Sequence, residues 1–232
     1  MKKLICGICM FLVFPAAAQM KPPAAPPVLP DGKESVAAQE PDFWNVIMKR
    51  RSVRKYKPDS IPDSALLKII NAARMAPTSG NQQPWKFLVV RDKKKIDEME
   101  EKCIERSLLR YDPANKQKIT KEEYEKLIQA SFDNYFSAPV YIVVLTDNNS
   151  MYPDYNHWDG PLAAGYLMLA ARALGYGTVF ITDAIPESVS KEVLQIPDRY
   201  TRVCITPVGI PVEWPAAPPK KNLEDFIVYD NF

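Results

Sequence analysis

The sequence has few of the side chains from which metal centres and hydrolytic triads are built. Its 232 residues include one histidine, His157, and four cysteines, of which Cys6 and Cys9 lie close to the N-terminus. A zinc site usually takes four Cys or His ligands, and a Ser-His-Asp or Cys-His machine needs a histidine with matched partners. Both kinds of site are therefore poorly supported. Cys103 and Cys204 lie in apolar contexts, so two buried thiols are favoured over a single disulfide.

The sequence also has almost no surplus of charge. It contains 30 Lys+Arg and 28 Asp+Glu, and two of the cations, Lys2 and Lys3, belong to the N-terminal segment. Proteins that bind nucleic acids normally carry a broad basic surplus because they neutralise many phosphates. A nucleic-acid partner is therefore not expected.

Long apolar runs are missing as well. The run Leu4–Phe14 follows Lys2 and Lys3 and precedes the small residues "PAAAQ", which is the pattern of a secretory signal peptide spanning 1–18. A retained membrane anchor is the alternative. No other stretch is long and apolar enough to cross a bilayer, and Cys6 and Cys9 lack the spacing of a lipoprotein signal. We expect an exported, periplasmic protein that is free of the membrane after cleavage.

A Pro- and Ala-rich linker is predicted for residues 19–41, where "KPPAAPPVLP" offers few large apolar side chains for burial. The folded domain is expected to span 42–232. Apolar periodicity there predicts an α+β fold, in which a mixed central β-sheet is flanked by helices. Helices are predicted near 43–50, 63–76, 93–110, 121–137, 159–175 and 186–196, and strands near 85–92, 138–147, 178–182 and 202–211. Pro207 in the last strand requires an edge position or a bulge.

The C-terminal arm, "WPAAPPKKNLEDFIVYDNF" (214–232), is unusual for a monomer. A Pro-rich segment does not fold back compactly, yet "FIVY" at 226–229 needs apolar surroundings. Exchange of the arm with a second subunit would provide them, and disorder of the arm is the alternative.

The basic stretch, "KRRSVRKYK" (49–57), places six cations in nine residues where the first helix ends. Guanidinium groups match phosphate oxygens, and a serine hydroxyl adds a donor. Arg50, Arg51, Ser52 and Arg54 would suit one compact phosphate, whereas a solvated charged face is the alternative.

A second polar segment, which we call the elbow, is "TSGNQQ" (78–83). Its amides each carry a donor and an acceptor, which suits the edge of a flat heteroaromatic ring. Ordinary turn chemistry explains it equally well when it is taken alone.

The two segments together are more specific than either alone. "RRSVRKY" followed by "AARMAPTSGNQQPWKFLVV" closely resembles the FMN-dependent nitroreductase family, as do "LMLAARALGYGT" and "PPKKNLEDFIVYD". The resemblance implies an intertwined homodimer with one FMN in each of two interface pockets. It also implies hydride transfer from NAD(P)H to the flavin and then to a small aromatic acceptor, usually a nitroaromatic or a quinone.

The resemblance assigns roles to particular residues. Arg50, Arg51 and Ser52 match the residues that bind the phosphate and ribityl end, and Arg54 matches a cation near the pyrimidine edge. Asn81 matches the amide against the polar edge of the ring, with Gln83 a weaker candidate. Either Lys220 or Lys221 matches a C-terminal cation that reaches the phosphate.

The chain departs from the family after "TVFIT". Many relatives have an acidic residue or Gly followed by Gly beside flavin N5, whereas this chain has Thr182 and Asp183. A backbone N–H at these positions can still donate a hydrogen bond to N5, but the larger side chains put access for nicotinamide in doubt. Export raises a second question about the electron donor, because NAD(P)H is cytosolic.

Three functions remain open at this point. The first is a flavin oxidoreductase, whose chemistry takes place on FMN and requires no protein nucleophile. The second is reductive dehalogenation or flavin fragmentation on the same scaffold, and the third is a flavin-binding module without turnover. Tyr152, Tyr155, His157 and Trp158 form an aromatic stretch that either lines the acceptor pocket or packs as a surface loop.

Overall fold

The computed structural model describes residues 43–112 and 119–231. The predicted signal peptide and linker lie outside the described residues, and all described residues belong to one compact unit, Glu40–Phe232. They form helices and strands in the order α1 (Phe43–Lys49), α2 (Asp63–Ala73), β1 (Trp85–Val90), α3 (Lys93–Leu108), α4 (Lys121–Tyr135), β2 (Val140–Asp147), α5 (Asn156–Ala173), β3 (Gly177–Thr178), α6 (Glu187–Leu194) and β4 (Tyr200–Gly209).

Two helices begin at side-chain caps that satisfy otherwise unpaired N–H groups. The Asp92 carboxylate accepts from the Lys94 N–H at 3.0 Å at the start of α3. At the start of α4, Thr120 Oγ1 and the Glu123 carboxylate bond reciprocally to each other's backbone N–H. This capping box explains why a highly charged segment still forms a helix.

The four strands form one sheet in the order β1-β2-β4-β3. The α+β prediction is confirmed, but the sheet differs from the expected mixed one because every strand pairs antiparallel with its neighbours. The parallel pairing among the described residues is the bridge Ser52–Thr178, which joins the basic stretch to β3. The helical connections from β1 to β2 and from β3 to β4 return the chain in the opposite direction, whereas α5 links β2 to β3, which run parallel to each other on either side of β4.

Pro207 explains why the predicted strand 178–182 is short. β4 is interior, and the pairs Thr178–Val208 and Ile181–Ile205 share one register, which sets Val179 opposite Pro207. Pro207 has no N–H to donate, so the ladder to β3 stops beside it and resumes only at Ile181. A bulge does occur in β4, but it lies before Pro207, where Val203 falls between the residues that pair with Val144 and Leu145.

The core lies on both faces of β2, as the continuous apolar run predicts. Alternate residues point to opposite faces. Tyr141, Val143 and Leu145 pack with residues of α3, α4 and α6, while Ile142 and Val144 pack with α2 and α5.

Helix α5 is less buried than its composition suggests. The nearly continuous apolar run "PLAAGYLMLAARAL" predicts a helix buried nearly all round, but Trp158, Leu162 and Tyr166 leave 59%, 44% and 42% of their surface exposed. Their spacing of four residues places them on one face. Among the described residues, no helix has the length and apolar character needed to span a membrane.

Candidate active site

The basic stretch is anchored through its backbone. The Val53 N–H donates to the Thr178 carbonyl at 3.0 Å, the Lys57 N–H donates to the Ile210 carbonyl at 2.8 Å, and the Val212 N–H returns a bond to the Lys55 carbonyl. Val53 is buried between these contacts. The stretch therefore lies along β3 and the end of β4 with its apolar residues inward.

A glycine in β3 makes this close approach possible. A Cβ on Gly177 would lie 2.7 Å from the Val53 Cβ and 2.9 Å from the Pro211 Cγ, nearer than real Cβ contacts come. The "GYGT" sequence therefore serves the docking of the basic stretch as well as the end of α5.

The cations of the basic stretch have no carboxylate partners among the described residues, because none of the salt bridges there includes residues 49–57. Arg51 donates from Nη1 to the carbonyls of Met48 and Arg50 at 2.7 and 2.8 Å and so covers the C-terminal end of α1. The remaining cations form an electropositive edge that is not neutralised within the described chain.

A cavity of about 190 Å³ brings Arg54 together with Thr182 and Asp183. Tyr135 at the end of α4 and Phe180 line its sides, while Val179, Ile181 and Ala184 complete the lining. Three of the residues predicted for the site thus meet, although Arg54 is far from the other two in sequence. Arg50, Arg51, Ser52, Asn81, Gln83, Lys220 and Lys221 do not line this cavity.

Sequence reasoning missed Arg202, which bonds to the backbone of Thr182 in the cavity wall. The residue is only 9% exposed, and its guanidinium donates from Nη2 to the Thr182 carbonyl at 2.6 Å and from Nη1 to the Ser190 Oγ at 3.2 Å. Burial lowers the pKa of Arg202 from its usual value, while the negative charges of Glu187 and Asp183 act in the opposite direction. The available signal was a single cation at the start of the apolar strand "RVCITPV".

The elbow is anchored through side chains. Gln82 Nε2 donates to the Asp159 Oδ2 at 2.7 Å and to the Tyr152 carbonyl at 3.0 Å, and Gln82 Oε1 accepts from the Tyr152 N–H. Asp159 is buried and also accepts from the Ser79 N–H at 3.2 Å. Gly80 has a φ of +56°, and a Cβ there would lie 2.5 Å from the Tyr152 ring.

The residues on either side of Gln82 point outward. Asn81 and Gln83 are exposed and have φ of 54° and 49°, and Gln83 Nε2 donates to the Asn81 Oδ1 at 3.1 Å. The two amides that the resemblance assigns to the ring are therefore available for contacts outside the chain. Gln82, which was not assigned a role, fixes the loop.

Within the described chain, the C-terminal arm contacts the end of α5 through a cation–π pair. The Arg172 guanidinium at the end of α5 lies 3.7 Å from the centre of the Trp214 ring. Beyond it Lys220 and Lys221 are exposed, and so are the apolar side chains Leu223, Phe226, Ile227, Val228 and Tyr229. No salt bridge among the described residues includes either lysine.

The aromatic stretch is divided between two places, since Tyr152 contacts the elbow and His157 does not. His157 lines a separate cavity of about 510 Å³ with Asn148, Asp154 and Thr201, and its ring lies 4.2 Å from that of Trp158. Cys103 and Cys204 are buried and unpaired. Among the described residues there is no cluster of His, Cys, Asp and Glu that would hold a metal ion.

Comparison with known proteins gives a family match over most of the described chain. A model described as the Nitroreductase family matches residues 47–210. A protein of Archaeoglobus fulgidus, provisionally named an NADH dehydrogenase/NAD(P)H nitroreductase, is 32% identical over 72% of this chain and 83% of its own. An iodotyrosine deiodinase of Thermotoga neapolitana is 29% identical over 73% of this chain and 88% of its own.

A solved structure supports the same relationship. The crystal structure of oxidised iodotyrosine deiodinase bound to FMN and 3-iodo-L-tyrosine aligns with a TM-score of 0.68 and 26% identity. The alignment covers 82% of this chain and all of that one.

Proposed function

Because the chain belongs to the nitroreductase family of flavoprotein oxidoreductases, we propose that it binds FMN and passes hydride or electrons, with NAD(P)H as a candidate donor, to a small aromatic acceptor. Nitroaromatics and quinones are the acceptors with which to begin. The observation that carries the proposal is the cavity in which Arg54 of the basic stretch meets Thr182 and Asp183.

The residues present fit FMN. A phosphate dianion is best held by guanidinium and hydroxyl donors that are not already neutralised, and residues 49–57 form no salt bridge within the described chain. Arg50, Arg51 and Ser52 would hold the phosphate end. Lys220 or Lys221 would add a cation once the C-terminal arm closes on the site.

When bound, FMN supplies the atom that accepts and gives up hydride. Arg54 fixes a positive charge beside the cavity, where it would stabilise negative charge that develops on a reduced ring. Asn81 and Gln83 offer amide donors and acceptors for a polar ring edge, and Tyr135 and Phe180 line the cavity with aromatic surface. Thr182 and Asp183 offer backbone donors at the cavity wall.

We also propose a homodimer that shares the site. The support is the amount of apolar surface left open on α1, α5 and the C-terminal arm. Phe43, Trp44 and Met48 on α1 are each more than 60% exposed, and Phe226 on the arm is 67% exposed. Removing residues 223–232 should weaken the dimer, because the apolar end of the arm is lost. A shortened chain that elutes as an intact dimer would contradict the exchanged arm.

Export to the periplasm remains a proposal that rests on the signal-peptide pattern of residues 1–18. Cell fractionation and N-terminal sequencing test it, with cleavage after Ala18 as the expected result. Cytoplasmic recovery of a chain that begins at Met1 would overturn it.

The proposed function is tested by following the visible absorption of FMN in the purified protein. Purified protein incubated with FMN should turn yellow, bleach on adding NADH or NADPH without oxygen, and recover on adding a quinone or a nitroaromatic. Dithionite replaces the nicotinamide if the natural donor is different. Protein that stays colourless with excess FMN would refute the proposal, whereas yellow protein that never turns over would indicate a flavin-binding module.

Reductive dehalogenation is the second candidate, and the similarity to iodotyrosine deiodinases favours it. Flavin fragmentation is the related option, since a 5,6-dimethylbenzimidazole synthase of Rhodospirillum rubrum is 25% identical over 71% of this chain. Iodide release from 3-iodo-L-tyrosine by the reduced protein would select the first. Loss of FMN with formation of dimethylbenzimidazole in oxygen would select the second.

A further inference from the structure

Arg202 is a buried cation whose side chain donates only to neutral oxygens among the described residues, while its backbone N–H donates to a carboxylate. Its side chain donates to the Thr182 carbonyl and to the Ser190 Oγ, and its own N–H donates to the Glu187 Oε1 at 3.1 Å. Burying a guanidinium costs free energy unless its N–H groups form hydrogen bonds with the surrounding protein. The side chain also crosses from β4 to the bend after Ile181, so that bend is held by an interaction distant in sequence.

The bond to Thr182 fixes the direction of the next N–H. The peptide between Thr182 and Asp183 is planar and trans, so the Asp183 N–H points opposite to the Thr182 carbonyl. That carbonyl points inward to Arg202. The Asp183 N–H therefore points away from the core, in a segment that lines the cavity with Arg54, and it forms no hydrogen bond within the described chain.

The same bond strengthens this N–H as a donor. A hydrogen bond to the carbonyl of a peptide polarises the whole unit, and a charged donor in low-dielectric surroundings does so more than a neutral one. Arg202 lies within such surroundings at 9% exposure. A single side chain thus sets both the orientation and the donor strength of one backbone N–H.

We propose that Arg202 is a positioning residue that aims and polarises the Asp183 N–H toward the flavin, acting through the Thr182–Asp183 peptide. The inference rests on the proposed function only for the identity of the acceptor. A glycine pair at these positions would leave the backbone free to adopt several conformations. Arg202 instead holds Thr182 and Asp183 in one arrangement.

The first test uses the protein before FMN is added. In amide NMR spectra, the Asp183 proton of Arg202→Met should move upfield relative to the native protein, because the polarising bond is lost. Arg202→Lys should move it less and in the same direction, since an ammonium keeps the charge but not the fork. Ser190→Ala is the matched control, because it removes the other acceptor and should leave Asp183 near its native shift.

The second test uses the FMN-loaded protein. Arg202→Met should change the visible absorption spectrum of the bound flavin, and Arg202→Lys should restore it in part. FMN affinity should fall less than in Arg50→Ala. If Arg202→Met does not fold, Arg202→Lys carries both tests.

The outcomes separate the two proposals. An Asp183 amide that is unmoved in every folded variant at Arg202, or that moves equally in Ser190→Ala, overturns the role of Arg202. A native protein that binds no FMN overturns the proposed function, whatever the amide shifts show.

Discussion

The basic stretch 49–57 and the elbow 78–83 supply most of the predicted site residues, and the fold holds them by opposite means. The basic stretch is fixed by backbone bonds to Thr178 and Ile210, which leave its cations free to face a ligand. The elbow is fixed by the side chain of Gln82 against Asp159 and Tyr152, which leaves the flanking amides outward. The basic stretch thus presents several side chains from a segment anchored by its backbone, whereas the elbow presents two amides on either side of the residue that anchors it.

We expect the largest effect from a substitution at Gly177, where the basic stretch lies against β3. Gly177→Ala places a Cβ 2.7 Å from the Val53 Cβ, between two elements that cannot separate without losing their hydrogen bonds. We expect the free energy of unfolding to fall by about 3 kcal/mol, at the upper end of overpacking effects, and FMN binding to weaken with it. Urea denaturation measures the first and fluorescence titration the second.

Gly165→Ala in α5 is the matched control. A Cβ there meets nothing within 4 Å, so we expect stability to stay level or rise by about 0.5–1 kcal/mol. If the two variants lost equal stability, close approach at β3 would not be what anchors the basic stretch.

The next largest effect is expected from Arg50→Ala, which tests whether the basic stretch binds the FMN phosphate. Arg50→Ala should weaken FMN binding by about 2 kcal/mol, roughly thirtyfold, because a charged hydrogen bond to the phosphate is lost. Lys57→Ala is the control, since it removes an exposed cation whose backbone still bonds to Ile210. Equal losses in both variants would indicate diffuse attraction, and no loss in either would contradict the phosphate assignment.

The sequence predicts the identity of the helices and strands better than it predicts how the strands pair. Helix and strand identities follow from apolar periodicity, and β2 is buried on both faces as its unbroken run predicts. The antiparallel direction of every strand and the early end of β3 depend on pairing partners. Pro207 signalled an interruption, but which neighbour would lose the hydrogen bond could not be inferred before the strand order was known.

In the candidate site, too, local sequence patterns were predictive and contacts between distant residues were not. The family resemblance named Arg54, Thr182 and Asp183, and the fold brings these three to one cavity, while their roles toward a flavin stay predictions. Gln82 and Arg202 were missed because they act on other protein groups rather than facing outward, and their partners lie 77 and 20 residues away in sequence. Contacts of this kind leave no local pattern.

The side-chain anchor is broken at Gln82. Gln82→Ala removes its bonds to Asp159 and Tyr152 and leaves a buried carboxylate short of a donor, so we expect a loss of about 1.5 kcal/mol in stability. Gln83→Ala, one residue on, should change stability by less than about 0.5 kcal/mol, because it is exposed. Matching losses in thermal denaturation would mean that the elbow is not held by Gln82.

The smallest effect is expected at Arg54, whose side chain would act on the cofactor but does not hold the basic stretch in place. Arg54→Ala should lower the two-electron midpoint potential of bound FMN by about 20 mV, or about 1 kcal/mol, because a cation at the cavity no longer favours the reduced ring. Arg54→Lys keeps the charge and should retain most of the native potential. Anaerobic redox titration measures both, and an unchanged potential in Arg54→Ala would show that this guanidinium, although it lines the cavity, does not act on the flavin.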